Sequence, residues 1–319
     1  MPELPEVETI RRELEGKIVR KKIAGAEVRG KKIVKTDLKE FEKILTGNQF
    51  TKIERRGKLL IFNLKNHRGS TSMGEKFLLV HLKMTGQLIY RYDHKTTSGE
   101  PFGTELTAEV VTRTIAGGHN LPKDLGLLPN KFTHLIFSFS DKSHLYYNDM
   151  RRFGYMKIVD SAEKDRILGN NFGIDAMDGK FTLAVFKNIL EKRKKAVAKA
   201  VLMDQGNIAG IGNIYADEVL FDSQILPNRK VSTLKPEEVK KVYQSIKKVL
   251  KHAIRHRGTT FGTQLEGHYV DSDGKHGNYL DFLKVYQREG EKCLRCKKGV
   301  IQKKNMAGRG TRFCMACQT

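Results

Sequence analysis

The sequence predicts an α+β chain built in several units: a β-rich first half, a helical second half and a small terminal module held by metal. Three observations carry this. Short runs rich in β-branched and aromatic residues crowd the first 160 residues, apolar residues recur at three- and four-residue spacing after that point, and all four cysteines fall in the last 27 residues. At 319 residues the chain is too long for one small core and suits two or three.

The first element is a helix. Val7, Ile10 and Leu14 recur at helical spacing behind Pro5, with Gly16 as the expected stop, while Glu6 and Glu8 complement the helix dipole. The stretches "KIVRKKIAGAEV", "FTKIERRGKLLIFNL", "KFLLVHLKM", "GQLIYRY", "THLIFSF", "HLYYND" and "GYMKIV" read as strands, and "LKEFEKIL" as a helix with Leu38, Phe41 and Leu45 on one face. Many strands with few helices predict a sandwich or a barrel. Residues 91–132, polar and rich in Gly and Pro apart from a short "AEVVT" run, read as a surface insertion. Beyond them, "FTLAVFKNILEKRKKAVAKAVLMDQ" and "KPEEVKKVYQSIKKVLKHAIRH" are helical. The expected units are a β-rich unit over 1–160, a linker over 161–180, a helical unit over 181–284 and a zinc-held hairpin over 285–319.

Charge narrows the partner. The chain carries 59 Lys and Arg against 36 Asp and Glu, a formal charge of +23. That much self-repulsion makes sense against a polyanion, and nucleic acid fits best because the cations are interleaved with ordered segments rather than gathered in a tail. No run of about eighteen apolar residues and no signal peptide is visible, so a cytoplasmic protein is expected, and with no oligomerisation pattern in the sequence, a monomer.

Cys293, Cys296, Cys314 and Cys317 form C-x2-C, seventeen residues, C-x2-C. Each pair can chelate from one tight turn, and four thiolates complete a tetrahedral zinc site, one ion per chain; two disulfides are the alternative, which a cytosolic setting disfavours. In "DQGNIAGIGNIYADEVLF" the glycines allow a tight path, and Asn213 is expected to cap a helix whose free N–H groups bind phosphate; an ordinary helix corner is the alternative. "NMAGRGTRFCMAC" places Arg309 and Arg312 at the hairpin tip. "HLKMTG" and "NDMRRFG" set Met84, Arg151 and Phe153 beside cations, as either wedges for a vacated base position or core residues. Lys58 follows Gly57 where a strand begins.

These stretches resemble the formamidopyrimidine-DNA glycosylase family. "PELPEVET", "RRGK", "HLKM", "DMRRFG", "DQGNIAGIGNIYADE", "SDGKHGNYLDFLKVYQREGEKC" and "AGRGTRFCMACQ" occur in the family's order and span most of the chain, leaving out 91–132 and a shorter stretch near 64–76. The resemblance implies an N-terminal β-sandwich with a leading helix, a helix–two-turn–helix domain and a zinc finger, with double-stranded DNA in the cleft between. It implies excision of oxidised purines such as 8-oxoguanine and strand cleavage by β,δ-elimination in base excision repair, at the nucleoid. Pro2, freed by removal of Met1, would be the nucleophile through an iminium (Schiff base) intermediate. Glu3 would be its acid/base, Glu6 a supporting carboxylate, and Lys58 and Arg309 further catalytic-site cations. His81, Lys199, Asn213 and Arg309 match phosphate-binding positions. Met84, Arg151 and Phe153 match gap-filling ones, with Arg152 beside them. "SDGKHGNYLDF" matches the loop that closes over the everted base. Two departures stand out: Met150 replaces the proline of "DPRRFG", and 91–132 has no counterpart. An endonuclease VIII-type enzyme is disfavoured by Leu4, since that branch resembles "PEGPE". A non-enzymatic zinc DNA-binding protein is disfavoured by the joint presence of Pro2, Glu3, Glu6 and Lys58.

Overall fold

The computed structural model describes residues 1–65, 74–95, 110–117, 128–259, 278–306 and 308–319. Helix α1 (Leu4–Ile18) leads, with Glu3 as its N-cap; the Glu6 carboxylate reaches back to accept the Glu3 N–H at 2.9 Å. It runs through Gly16, the expected stop, because Ile18 beyond it is fully buried; that packing outweighs the roughly 1 kcal/mol cost of a helical glycine.

The strands β1 (Ile23–Val28), β2 (Gln49–Arg56), β3 (Leu59–Lys65), β4 (Lys76–His81), β5 (Gly86–Lys95), β6 (Val110–Gly117), β7 (Thr133–Phe139), β8 (His144–Asp149) and β9 (Tyr155–Asp160) form two antiparallel sheets, in the orders β2-β3-β4-β9 and β1-β7-β8-β5-β6. Among the described residues the two sheets are separate, and they stack. Phe50, Phe62, Leu78 and Val80 from one meet Tyr90, Leu135, Phe137 and Tyr147 from the other, so the sandwich holds and the barrel falls. Helix α2 (Leu38–Leu45) buries Phe41, Ile44 and Leu45 against the same core. The run "LLIF" is apolar without alternation because both faces of β3 are covered. Leu60 and Phe62 face the sandwich, while Leu59 and Ile61 face Ile167 and Leu168 of α3 (Ser161–Asn171). The stretch expected as a linker is therefore structured: α3, then β10 (Ile174–Asp175), which pairs in parallel with β11 (Ile208–Ala209). Within 91–132, β5 continues to Lys95 and pairs with β6 from Leu88↔Gly117 to Lys95↔Val110, so the described part of the insertion extends the sheet at its edge.

The helical unit comprises α4 (Leu183–Lys192), α5 (Ala198–Met203), α6 (Asn213–Asp222) and α7 (Pro236–Arg255). The run expected as one helix over 181–205 breaks after Lys192, where the carbonyls of Lys194 and Ala196 accept N–H groups of Ser232 and Val231 instead. Its core includes Leu4, whereas Val7, one turn along the same α1, lies in the sandwich core. The first helix is thus shared by both cores. The chain ends in the hairpin β12 (Ile301–Met306) and β13 (Arg309–Cys314). No described helix is long and apolar enough to cross a membrane.

A charged joint reinforces the shared helix. Glu8 accepts from Arg11, Arg12 and Arg55, and Arg55 continues to Asp175 at 2.5 Å. Burial pushes the Glu8 carboxyl up, but the three guanidinium groups outweigh it and hold it at about 2. A depressed native value stabilises fully above the ordinary 4.5 and is lost as pH falls toward 2. Glu8→Gln is expected to cost roughly 1–3 kcal/mol at pH 7, with the gap to the parent closing in urea melts as pH drops through that window.

Candidate active site and nucleic-acid interface

Gly212 is the N-cap of helix α6, and the group that satisfies the N–H groups there is the Glu3 carboxylate. Glu3 accepts from Gly212 at 2.7 Å, Ile214 at 2.9 Å and Tyr215 at 3.4 Å. A Cβ on Gly212 would sit 2.3 Å from the Glu3 carboxyl carbon, so only glycine lets the two approach. This corrects the expectation for Asn213, which is not the cap: its amide donates to the Gly310 carbonyl at 3.1 Å and ties α6 to the hairpin. The helix terminus that was to receive a phosphate is already occupied by an internal anion.

Several of the residues expected at the site lie near Glu3. Pro2 is buried beside it. Glu6 accepts from the Glu3 N–H, from the Tyr215 hydroxyl at 2.6 Å, and from the Thr259 N–H at 2.7 Å and hydroxyl at 3.1 Å. Gly258, at φ +76°, would carry a Cβ 2.5 Å from that carboxylate. Glu6 therefore links the chain start to the residue that leads into 260–277. The predicted recognition loop lies outside the described residues up to Gly277; its end forms a 3-10 turn, Tyr279–Phe282. Lys58 is buried after the left-handed Gly57, whose N–H donates to Asp175 at 2.7 Å. Burial raises the Glu3 carboxyl, opposed by the charge of Lys58 and reinforced by that of Glu6. Burial lowers the Lys58 ammonium, opposed by Glu3 and Glu6 and reinforced by Arg309 and Lys83. Burial thus inclines the Glu3 carboxyl to keep its proton and the Lys58 ammonium to lose one.

The wedge candidates are surface residues. Met84 is 38% exposed and Phe153 53%, which removes the core reading, and the Arg151 guanidinium stacks 4.7 Å above the Phe153 ring. Met150, in place of proline, is exposed beside them. His81 is buried and pushed down to about 3, by burial first and then by Lys83 and Lys58. Its Nδ1 accepts the Lys83 N–H at 3.0 Å, so the neutral ring carries its proton on Nε2, free to donate. Arg309 is exposed at the hairpin tip, after the left-handed Gly308. Arg312 instead turns inward: its N–H binds Asp217 and its guanidinium pairs with Glu289.

Lys199 departs from expectation. It is fully buried, with Nζ 2.6 Å from Asp217 and 2.7 Å from the Thr311 hydroxyl. An ammonium so enclosed pins α5 and α6 to β13 rather than lining a groove. Sequence reasoning missed a cationic cleft of ≈ 360 Å³ where Arg29, Lys31, Lys32, Lys131 and Arg152 meet beside His134. These residues are distant in sequence, and the pairing of β7 with both β1 and β8 brings them together.

The four cysteine sulfurs lie within 4.8 Å of one another, with Cys293–Cys317 and Cys296–Cys314 both at 3.7 Å. Zn–S bonds of about 2.3 Å require tetrahedral sulfur edges of about 3.8 Å, whereas a disulfide would need about 2.05 Å. The thiolates fit one structural zinc, which would close the module whose small core is Phe221, Val285 and Ile301.

Family models match in chain order: the formamidopyrimidine-DNA glycosylase N-terminal domain over residues 1–156, the H2TH domain of the same enzymes over 172–264, and a zinc finger found in FPG and IleRS over 290–319. A formamidopyrimidine-DNA glycosylase of Pelotomaculum thermopropionicum is 37% identical across 100% of this chain and 99% of its own length. The chain belongs to the formamidopyrimidine-DNA glycosylase family. Among solved structures, a mutant FPG of Lactococcus lactis in complex with a Fapy-dG-containing DNA is similar at a TM-score of 0.78 and 31% identity, covering 100% of both chains. The Lactococcus lactis Fpg in complex with an abasic-site-containing DNA is similar at 0.76 and 31% identity, covering 99% of each.

Purified protein is expected to hold one zinc per chain by elemental analysis. Cys314→Ser should lose the metal together with hydrogen-exchange protection of β12 and β13; a protected hairpin in metal-free protein would contradict the assignment. Lys199→Met leaves Asp217 buried without its counter-ion and should cost about 3–5 kcal/mol in urea unfolding, while the exposed Arg309→Ala should stay near the parent.

Proposed function

We propose that the chain is a DNA glycosylase and AP lyase of base excision repair, acting as a monomer on double-stranded DNA at the nucleoid. It excises oxidised purines, 8-oxoguanine and formamidopyrimidines, and then cuts the strand. The observation that carries this is the Glu3 carboxyl, buried against the start of α6 beside Pro2, with Lys58 within electrostatic reach of it and Arg309 within reach of Lys58.

With Met1 removed, Pro2 presents a secondary amine. Its nitrogen lone pair attacks C1′ of the damaged nucleotide, and the bond from C1′ to the base breaks, with Glu3, whose carboxyl burial shifts upward, serving as the acid. Ring opening yields an iminium, an electron sink that makes the C2′ proton acidic; its loss expels the 3′ phosphate, and a second elimination expels the 5′ phosphate. Lys58, inclined toward its neutral form, can exchange protons at the phosphates, and Arg309 offers a fixed cation to the backbone. His81 donates from Nε2, and Asn213 positions the hairpin tip through Gly310. Met84, Arg151 and Phe153 fill the space that the extruded base leaves, with Arg152 in the adjoining cationic cleft. The zinc holds the hairpin that carries Arg309.

Borohydride should trap a covalent adduct with 8-oxoguanine duplex, and a thymine glycol duplex should react more weakly. An N-terminal extension, which turns the amine into an amide, should abolish trapping, and Glu3→Gln should block base excision while the amine remains. Trapping that survives the extension but is lost in Lys58→Ala would transfer the nucleophile to Lys58.

A further inference from the structure

Two turns carry the exposed gap-filling residues: Leu82–Gly86, with Met84, and Asp149–Gly154, with Arg151 and Phe153. Each contains a non-glycine residue in the left-handed region directly beside them, Lys83 at φ +50° and Arg152 at φ +56°. Such backbone is costly and persists only where surrounding contacts impose it. Those contacts converge on one fully buried side chain. The Asp149 carboxylate accepts the Arg151 N–H at 3.2 Å and the Gly154 N–H at 2.8 Å, so it spans the second turn from inside. It also accepts the Thr85 hydroxyl, from the first turn, and the Thr85 oxygen in turn accepts the Arg151 N–H at 3.0 Å.

The floor beneath is equally specific. The Tyr147 hydroxyl donates to Asp149 at 3.4 Å. A Cβ on Gly86 would lie 2.8 Å from that hydroxyl oxygen and one on Gly154 1.8 Å, so both turns close directly on the Tyr147–Asp149 pair, and neither tolerates a side chain there. On the other side, His134 Nε2 donates to the Asp149 carbonyl at 2.8 Å and borders the cationic cleft.

We propose that Asp149 is a positioning residue for base extrusion: its buried carboxylate locks the Met84 turn and the Arg151–Phe153 turn into one rigid wedge. This rests on reading Met84, Arg151 and Phe153 as the residues that enter the gap. Asp149 touches no substrate. It acts through the shape of the two turns, so its loss should matter where a stacked base must be displaced and little where the base is already gone.

The test compares single-turnover cleavage of an 8-oxoguanine duplex with cleavage of a preformed abasic site, using full-length zinc-loaded protein. Asp149→Asn keeps the volume but turns an NH2 toward N–H donors. It should lower the ratio of the two rates by at least about tenfold, with abasic-site cleavage near the parent's. Thr85→Val removes only the tie between the turns and should lower the ratio by about threefold; it decides the matter if Asp149→Asn does not fold. In a Phe153→Ala background, Asp149→Asn should add little, because a disabled wedge has nothing left to position. Equal losses on both substrates, or full additivity with Phe153→Ala, would overturn the positioning role. Failure of the underlying reading looks different: Phe153→Ala and Met84→Ala would themselves leave the ratio unchanged.

Discussion

Helix α6 starts with N–H groups that no backbone carbonyl can reach, and the group that answers them is the Glu3 carboxylate, 209 residues earlier in the chain. This bond fixes the chain start against the helical unit. It places Pro2 next to a carboxyl whose proton affinity burial has raised, and it requires glycine at position 212. Glu6, held in the same capping box, extends the joint to Tyr215 and Thr259. The two cores meet on α1, through Leu4 and Val7, so a displaced α1 would disturb sandwich, helical unit and site together.

The same device recurs. Asp175 holds the turn before Lys58, Asp217 holds Lys199 and the Arg312 N–H, and Glu218 accepts three successive N–H groups from Lys284, Val285 and Tyr286. A chain of charge +23 with only 36 acidic residues spends several of its carboxylates inside, as joints between units. Buried carboxylates that accept several N–H bonds make joints that are directional and costly to break. Removing them from the surface leaves the outside more basic still, which favours a polyanionic partner.

Local chemistry made part of this legible. The C-x2-C pairs carry their own chelate geometry, and the thiols converge as that spacing demands. Strand patterning placed nearly every β-strand, because apolar and β-branched runs are read one segment at a time. The reading faltered where a distant group decided the outcome. Gly16 did not end α1, because Ile18 found a core. The acceptor at the start of α6 is not Asn213, the first residue of that helix, but Glu3 from the far end of the chain. Lys199 looked like any other cation of a basic helix until Asp217 and Thr311 enclosed it.

The order of the units, the family resemblance, the zinc ligands and the cluster of residues at the chain start are all legible along the chain, since each is written in contiguous residues whose chemistry acts locally. Which charges are internal and which face outward depends on the folded packing. Burial sets the cost of an unpaired charge, and burial depends on contacts between residues as far apart as Glu3 and Gly212, or Lys199 and Thr311. The physical reason is that a helix terminus, a carboxylate or an ammonium seeks the nearest partner in space, and proximity in space is settled by packing rather than by spacing along the chain.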